Sequence, residues 1–131
     1  MLIMIVDDIW DIWKKIYFIG INRYELHNKL QWEIVKLADK YKVKGKKEFI
    51  VSQIGRRGLI DVVWISSNNE PIVAFEIDSS RREKSIWKLL EIDAKERYWI
   101  YYGCYSNIEL YTSQFDKDHL ITVINFPYYK K

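Results

Sequence analysis

The residues best suited to chemistry are three carboxylates set inside two apolar, β-branched runs. Asp61 lies within Leu59-Ile60-Asp61-Val62-Val63-Trp64-Ile65, and Glu76 and Asp78 lie within Ile72-Val73-Ala74-Phe75-Glu76-Ile77-Asp78. Asn68-Asn69-Glu70-Pro71 between them is a turn signal, so the two runs read as antiparallel strands joined by a loop over 67–70. That loop sets Asp61 opposite Glu76. Strand alternation puts Glu76 and Asp78 on one face and Val73, Phe75 and Ile77 on the other. Opposed like charges destabilise a strand pair, and burying them costs more unless a counter-charge is present. A hard divalent cation, Mg²⁺ or Mn²⁺, is the simplest counter-charge, because opposed side chains start with Cβ atoms roughly 5 Å apart and two carboxylates can then share one ion. The competing reading is an exposed sheet face whose acids point into water.

Periodicity supplies the elements that must position these acids. Ile5, Ile9, Ile12, Trp13 and Ile16 predict a helix over 6–18, ended by Gly20. Asn22 is an N-cap for a second helix reaching Tyr41, with Leu26, Leu30, Ile34, Leu37 and Tyr41 as its core stripe. A strand over 48–54 and a turn at Gly55-Arg56-Arg57-Gly58 lead into the Asp61 strand. After Asp78, Ser79 or Ser80 caps a helix reaching Lys95, and Trp99-Ile100-Tyr101-Tyr102 is a buried strand. Residues 108–111 and 120–125 read as further strands, with 113–119 a loop or short helix. The predicted order is α-α-β-β-β-α-β-β-β in one domain over 1–131.

Composition narrows the class of protein. At 131 residues and 49% hydrophobic, the chain can build one real core, and its six Trp and ten Tyr beside few Gly and Pro argue against long loops. Its single cysteine, Cys104, excludes an internal disulfide and Cys-rich zinc sites, and fits a cytoplasmic setting. Asp7, Asp8 and Asp11 interrupt the apolar start, so neither a signal core nor a membrane span is expected. The net charge of +3 is small, but its distribution is uneven. Lys40, Lys42, Lys44, Lys46 and Lys47 form one basic run, Arg56-Arg57 a second, and Arg81-Arg82 with Lys84 a third. The last two bracket the acids, which favours an anionic ligand. His27 and His119 fall in no ligand or triad pattern and read as structural or surface residues. Trp32 falls off its helix's apolar stripe and suits a base or a subunit interface; the interface is preferred, because base stacking usually recruits several aromatics. The Ile9, Trp10, Trp13 and Ile16 surface exceeds what one short helix needs and points to a second subunit, hence a homodimer.

Gly58-Leu59-Ile60-Asp61-Val62-Val63-Trp64 followed by Val73-Ala74-Phe75-Glu76-Ile77-Asp78, set among a helix, a three-stranded meander, a crossover helix and another strand, resembles the PD-(D/E)xK restriction-endonuclease-like nucleases. Archaeal Holliday-junction resolvases belong to that superfamily. The resemblance covers roughly 24–103, within a nuclease-like core over 22–103, and leaves 1–20 as an added helix. It implies an α/β fold, with a central mixed β-sheet flanked by helices, and metal-dependent hydrolysis of DNA, with RNA also open. Asp61, Glu76 and Asp78 would be the metal ligands and catalytic acids, and Lys44, Arg56, Arg57, Arg81, Arg82 and Lys84 the nucleic-acid contacts. One position departs from the pattern: the usual lysine two residues after the glutamate is Asp78 here. Asp78 would then act as a base or extra ligand, with positive charge from Arg81, Arg82 or Lys84 on the next helix. The family often adds an acid from the first core helix. Glu33 lies about 60° from the centre of the core stripe and Glu25 about 140°, so Glu33 is preferred. The alternative is a catalytically inactive nuclease-fold module that binds nucleic acid or a protein.

Overall fold

Three stretches rich in β-branched residues fold as a meander, and two later ones extend it into a single sheet. The structure, a computed structural model, describes residues 2–17, 22–53 and 56–126, without the side chains of 2, 3, 52, 53 and 56. Gly20 and Gly55, expected at a helix end and a turn, lie outside the described residues. The strands are β1 (Lys44–Gln53), β2 (Arg56–Ile65), β3 (Pro71–Asp78), β4 (Glu96–Tyr101) and β5 (Ile121–Asn125). They lie side by side in chain order. β1, β2 and β3 pair antiparallel, whereas β3, β4 and β5 pair parallel. Parallel neighbours need crossovers, and helices α3 (Glu83–Glu91) and α4 (Ile108–Ser113) lie in these connections. Helices α1 (Leu2–Tyr17) and α2 (Arg23–Leu37) precede the sheet, and α2 tightens into a 3₁₀ turn over Ala38–Tyr41. The fold is α/β, a five-stranded mixed sheet flanked by helices.

Each sheet face has its own core. Val62, Trp64, Phe75 and Tyr98 pack with α1 and α2, while Val63, Ala74 and Trp99 pack with Ile86 and Leu89 of α3 and Ile108 of α4. The indole of Trp64 donates to the Ile34 carbonyl at 3.0 Å, which locks α2 to β2. α1 buries Ile5, Ile9, Trp13 and Ile16. Trp13 stacks on Phe126 with centroids 4.6 Å apart, and Trp10 meets the same ring edge-on. The aromatic surplus expected to meet a second subunit is thus occupied within the chain, by a residue just past β5. Asp8 of α1 accepts hydrogen bonds from Tyr41 and Lys40 and clasps α1 to the end of α2.

Several expected boundaries move. Residues 108–111 are helical rather than extended, so the order is α-α-β-β-β-α-β-α-β. Four residues cannot distinguish the two periods, and Thr112 returns its hydroxyl to the Ile108 carbonyl in helical geometry. β1 begins at Lys44 because it pairs back to Ile65, and Arg56–Gly58 belong to β2 rather than to a turn, pairing with Gln53 to Val51. α3 starts at Glu83, later than a cap at Ser79 or Ser80 would place it. Its far end is fixed by Arg97, which donates to the Leu89 and Ile92 carbonyls at 2.7 Å each.

Candidate functional site

The ladder between β2 and β3 runs from Ile65 and Pro71 to Val62 and Phe75. One step beyond, side chains replace backbone. The Asp61 N–H donates to Glu76 Oε1 at 3.0 Å, and the Ile77 N–H donates to Asp61 Oδ2 at 2.8 Å. The pairing on the β1 side is also interrupted there: the register passes from Lys47 opposite Val62 to Phe49 opposite Ile60, around a left-handed Glu48 with φ of 56°. A non-glycine residue in that region costs about 1 kcal/mol or more. Gln31 of α2 steadies the break by donating to the Asp61 carbonyl at 2.9 Å. Asp61 and Glu76 are therefore held at the point where the strands part.

Among the described residues, no backbone group takes the second oxygen of Asp61 or of Glu76. Asp61 Oδ1 lies 3.5 Å from His27 Nε2, and Glu76 Oε2 lies 3.0 Å from Lys88 Nζ. Lys88 reaches across from α3 and also donates to the Leu59 carbonyl at 2.7 Å. It is only 9% exposed and Glu76 only 1%, so this is a buried ion pair with an extra hydrogen bond. Gly58 makes the approach possible, since a Cβ there would fall 2.7 Å from Lys88 Cδ. Asp78 is engaged differently. Its Oδ2 accepts from Ser85 Oγ and from Trp99 Nε1, the latter at 2.8 Å, and its Oδ1 lies 3.9 Å from Arg82 Nη1.

These surroundings work against the charged forms of the two most buried acids. Burial, reinforced by the charge of Asp61, raises the Glu76 carboxyl above its ordinary value even though Lys88 pulls the other way. Burial raises Asp78 as well, partly offset by the Ser85 and Trp99 hydrogen bonds. His27 is raised by its hydrogen bond to Asp61, against the effect of burial.

All three acids line one open cleft of about 280 Å³, together with Arg23, Tyr24, His27, Arg82 and Lys88. Across Lys88 lies a second depression of about 530 Å³, whose lining includes Arg57, Leu59 and Lys84. The remaining expected site residues lie elsewhere. Glu33 is paired with Lys36 at 2.7 Å and does not line the cleft; it sits about 120° around α2 from His27. Lys44 pairs opposite Ile65, four residues or about 13 Å along β2 from Asp61. Arg81 stacks on Tyr105, 4.1 Å from the ring centroid. Arg56 lies in β2, with its side chain outside the described ones.

Sequence reasoning missed Lys88 and His27. Lys88 stands among apolar neighbours, yet Ser85, Leu89 and Ile92 share its face of α3 and are buried, and a lysine at core spacing is itself a signal. His27 adjoins the Leu26, Leu30 and Ile34 stripe on the side that Gln31 uses to reach Asp61.

Among the described residues no group of three His, Cys, Asp or Glu side chains is arranged to hold a metal ion. Mg²⁺, however, is commonly bound through one or two carboxylates, with waters and substrate phosphates completing its shell. The oxygens of Asp61 and Glu76 that face away from the backbone are donors of that kind. Among the described residues no helix is long and apolar enough to cross a membrane.

No protein-family profile matches the chain, and no curated protein matches it. Among solved structures it is similar to the crystal structure of a protein of unknown function, AF1548, with a TM-score of 0.46 and 12% identity. That match covers 77% of this chain and 59% of the other.

Proposed function

We propose that the chain is a metal-dependent nuclease of the restriction-endonuclease-like class, hydrolysing phosphodiester bonds in DNA. The observation that carries this reading is Lys88 of α3: its ammonium lies on Glu76 beside Asp61, which supports a lysine at the acids although position 78 of the pattern is Asp. Asp61 and Glu76 would hold Mg²⁺ or Mn²⁺, while Asp78 braces β3 through Ser85 and Trp99. The ion, when bound, would polarise the scissile phosphate and acidify a water. Lys88 has three N–H donors and uses two on Glu76 and Leu59, so the third is available to a water or a phosphate oxygen. His27, with its affinity for a proton raised by Asp61, can donate toward a phosphate or a departing oxygen. Arg82 at the cleft and Arg57 and Lys84 beyond Lys88 would neutralise neighbouring phosphates, which makes binding salt-dependent.

A second reading, an inactive nuclease-like module, draws support from the two carboxylate oxygens committed to backbone N–H groups, since those bonds alone give the acids a structural purpose. Calorimetric titration with Mn²⁺ of the wild type and Asp61→Ala separates the two. The nuclease reading expects heat of binding in the wild type and none in the variant. It also expects Mn²⁺-dependent cutting of linear, nicked, single-stranded or four-way-junction DNA that Asp61→Ala abolishes. A wild type that binds no Mn²⁺, or a variant that cuts equally well, sinks it.

A further inference from the structure

The outer face of α2 carries two large aromatic side chains with no place in the core. Tyr24 is 76% exposed and forms part of the cleft lining; Trp32 is 57% exposed. Eight residues separate them, which is about 12 Å along the helix and about 80° around it, with exposed Asn28 midway. Cations flank this stripe on both sides. Lys29 and Lys36 border Trp32 on one, Lys36 with its ammonium 5.9 Å from the ring centroid. On the other, β1 runs directly against α2: a Cβ on Gly45 would fall 2.4 Å from the Val35 carbonyl oxygen. Strand alternation puts exposed Lys47 on the same side of β1 as Gly45, toward α2. The two acids on the outer face of α2 are already engaged, Glu25 by the Asn22 cap and Glu33 by Lys36.

We infer that this face binds a single, unpaired strand of nucleic acid and leads it into the cleft, with bases stacked on Tyr24 and Trp32 and the backbone beside Lys29 and Lys47. The inference rests on the nuclease reading for its direction toward the acids. Spaced aromatic rings between cations are the means by which unpaired strands are held without sequence preference. An intact duplex buries its base faces in the stack and cannot use the two rings. Twelve ångströms spans about three nucleotides at 3.4 Å each, so both rings can engage one strand.

Binding is measured by fluorescence anisotropy in EDTA, with labelled (dT)20 and a labelled 20-base-pair duplex at fixed salt, which keeps the result independent of metal and turnover. The wild type should prefer (dT)20. Trp32→Ala and Tyr24→Ala should each weaken (dT)20 binding about tenfold and leave the duplex nearly unchanged, while Trp32→Phe retains most of the affinity. Both side chains are exposed, so thermal melting should not move. Equal binding of the two DNAs, an unchanged (dT)20 affinity in both alanine variants, or Trp32-dependent self-association with no DNA binding overturns the inference. Strand binding without Mn²⁺-dependent cleavage would overturn the nuclease reading alone, and cleavage without a single-strand preference would overturn the track alone.

Discussion

Lys88 is held at both ends of its side chain's range: Gly58 leaves room for its stem, and Glu76 and the Leu59 carbonyl fix its ammonium. A buried ion pair contributes little net stability compared with an apolar pair, but removing one member strands the other. Lys88→Met keeps the apolar stem, leaves the Leu59 carbonyl without its donor, and forces Glu76, already raised by burial and by Asp61, to take up a proton to stay buried. The expected loss at neutral pH is about 3 kcal/mol, which for a domain of this size lowers the melting temperature by roughly 10 °C. Cleavage should vanish in the same variant. An unchanged melting temperature would mean that Glu76 does not need this counter-charge, and the proposed division of labour at the site would fail.

At the scale of elements, the long periodic stretches and the short apolar strands around Trp99 and Val123 are legible in the sequence, and the short helix between them is not. The α2 stripe and the β2–β3 hairpin follow from repeats that several residues enforce, and Asp61 beside Glu76 follows from the hairpin. The helix at Ile108–Ser113 was illegible because six residues give too few turns to outvote an apolar run. For Lys88 the local pattern signals burial alone: which groups it meets depends on how α3 lies across β2, where Gly58 leaves room for its stem. The clasp between α1 and α2 is similarly long-range, and it carries a pH signature. Burial works to raise the Asp8 carboxyl, but the hydrogen bond from Tyr41 and the hydrogen bond and charge of Lys40 outweigh it and hold it below the ordinary value. A depressed carboxyl contributes stability above its unfolded value, and that contribution is lost as pH falls through the folded value. Asp8→Asn should therefore cost about 1 kcal/mol at pH 6 and progressively less toward pH 2.5, as followed by thermal melting. A constant difference across that range would show that the clasp is not electrostatic.

The whole molecule meets at the cleft. α2 contributes His27 and Gln31, β2 and β3 contribute the acids, and α3 contributes Lys88, so the site joins the two cores that the sheet otherwise separates. Unfolding any of these elements dismantles it. A ligand bound there interacts with the folded chain alone and should stabilise it globally rather than locally. At a hundred times its dissociation constant, Mn²⁺ would add about 2.7 kcal/mol, which for a chain of this length corresponds to a rise in melting temperature of roughly 8–10 °C. EDTA should reverse the shift. In Asp61→Ala the melting temperature should be the same with and without Mn²⁺, whatever its starting value, because the oxygen that faces the cleft is gone. A wild type whose melting temperature does not respond to Mn²⁺ would mean that the folded chain binds no ion, and Asp61 and Glu76 would then be read as the acids that hold β2 and β3 together where their ladder ends.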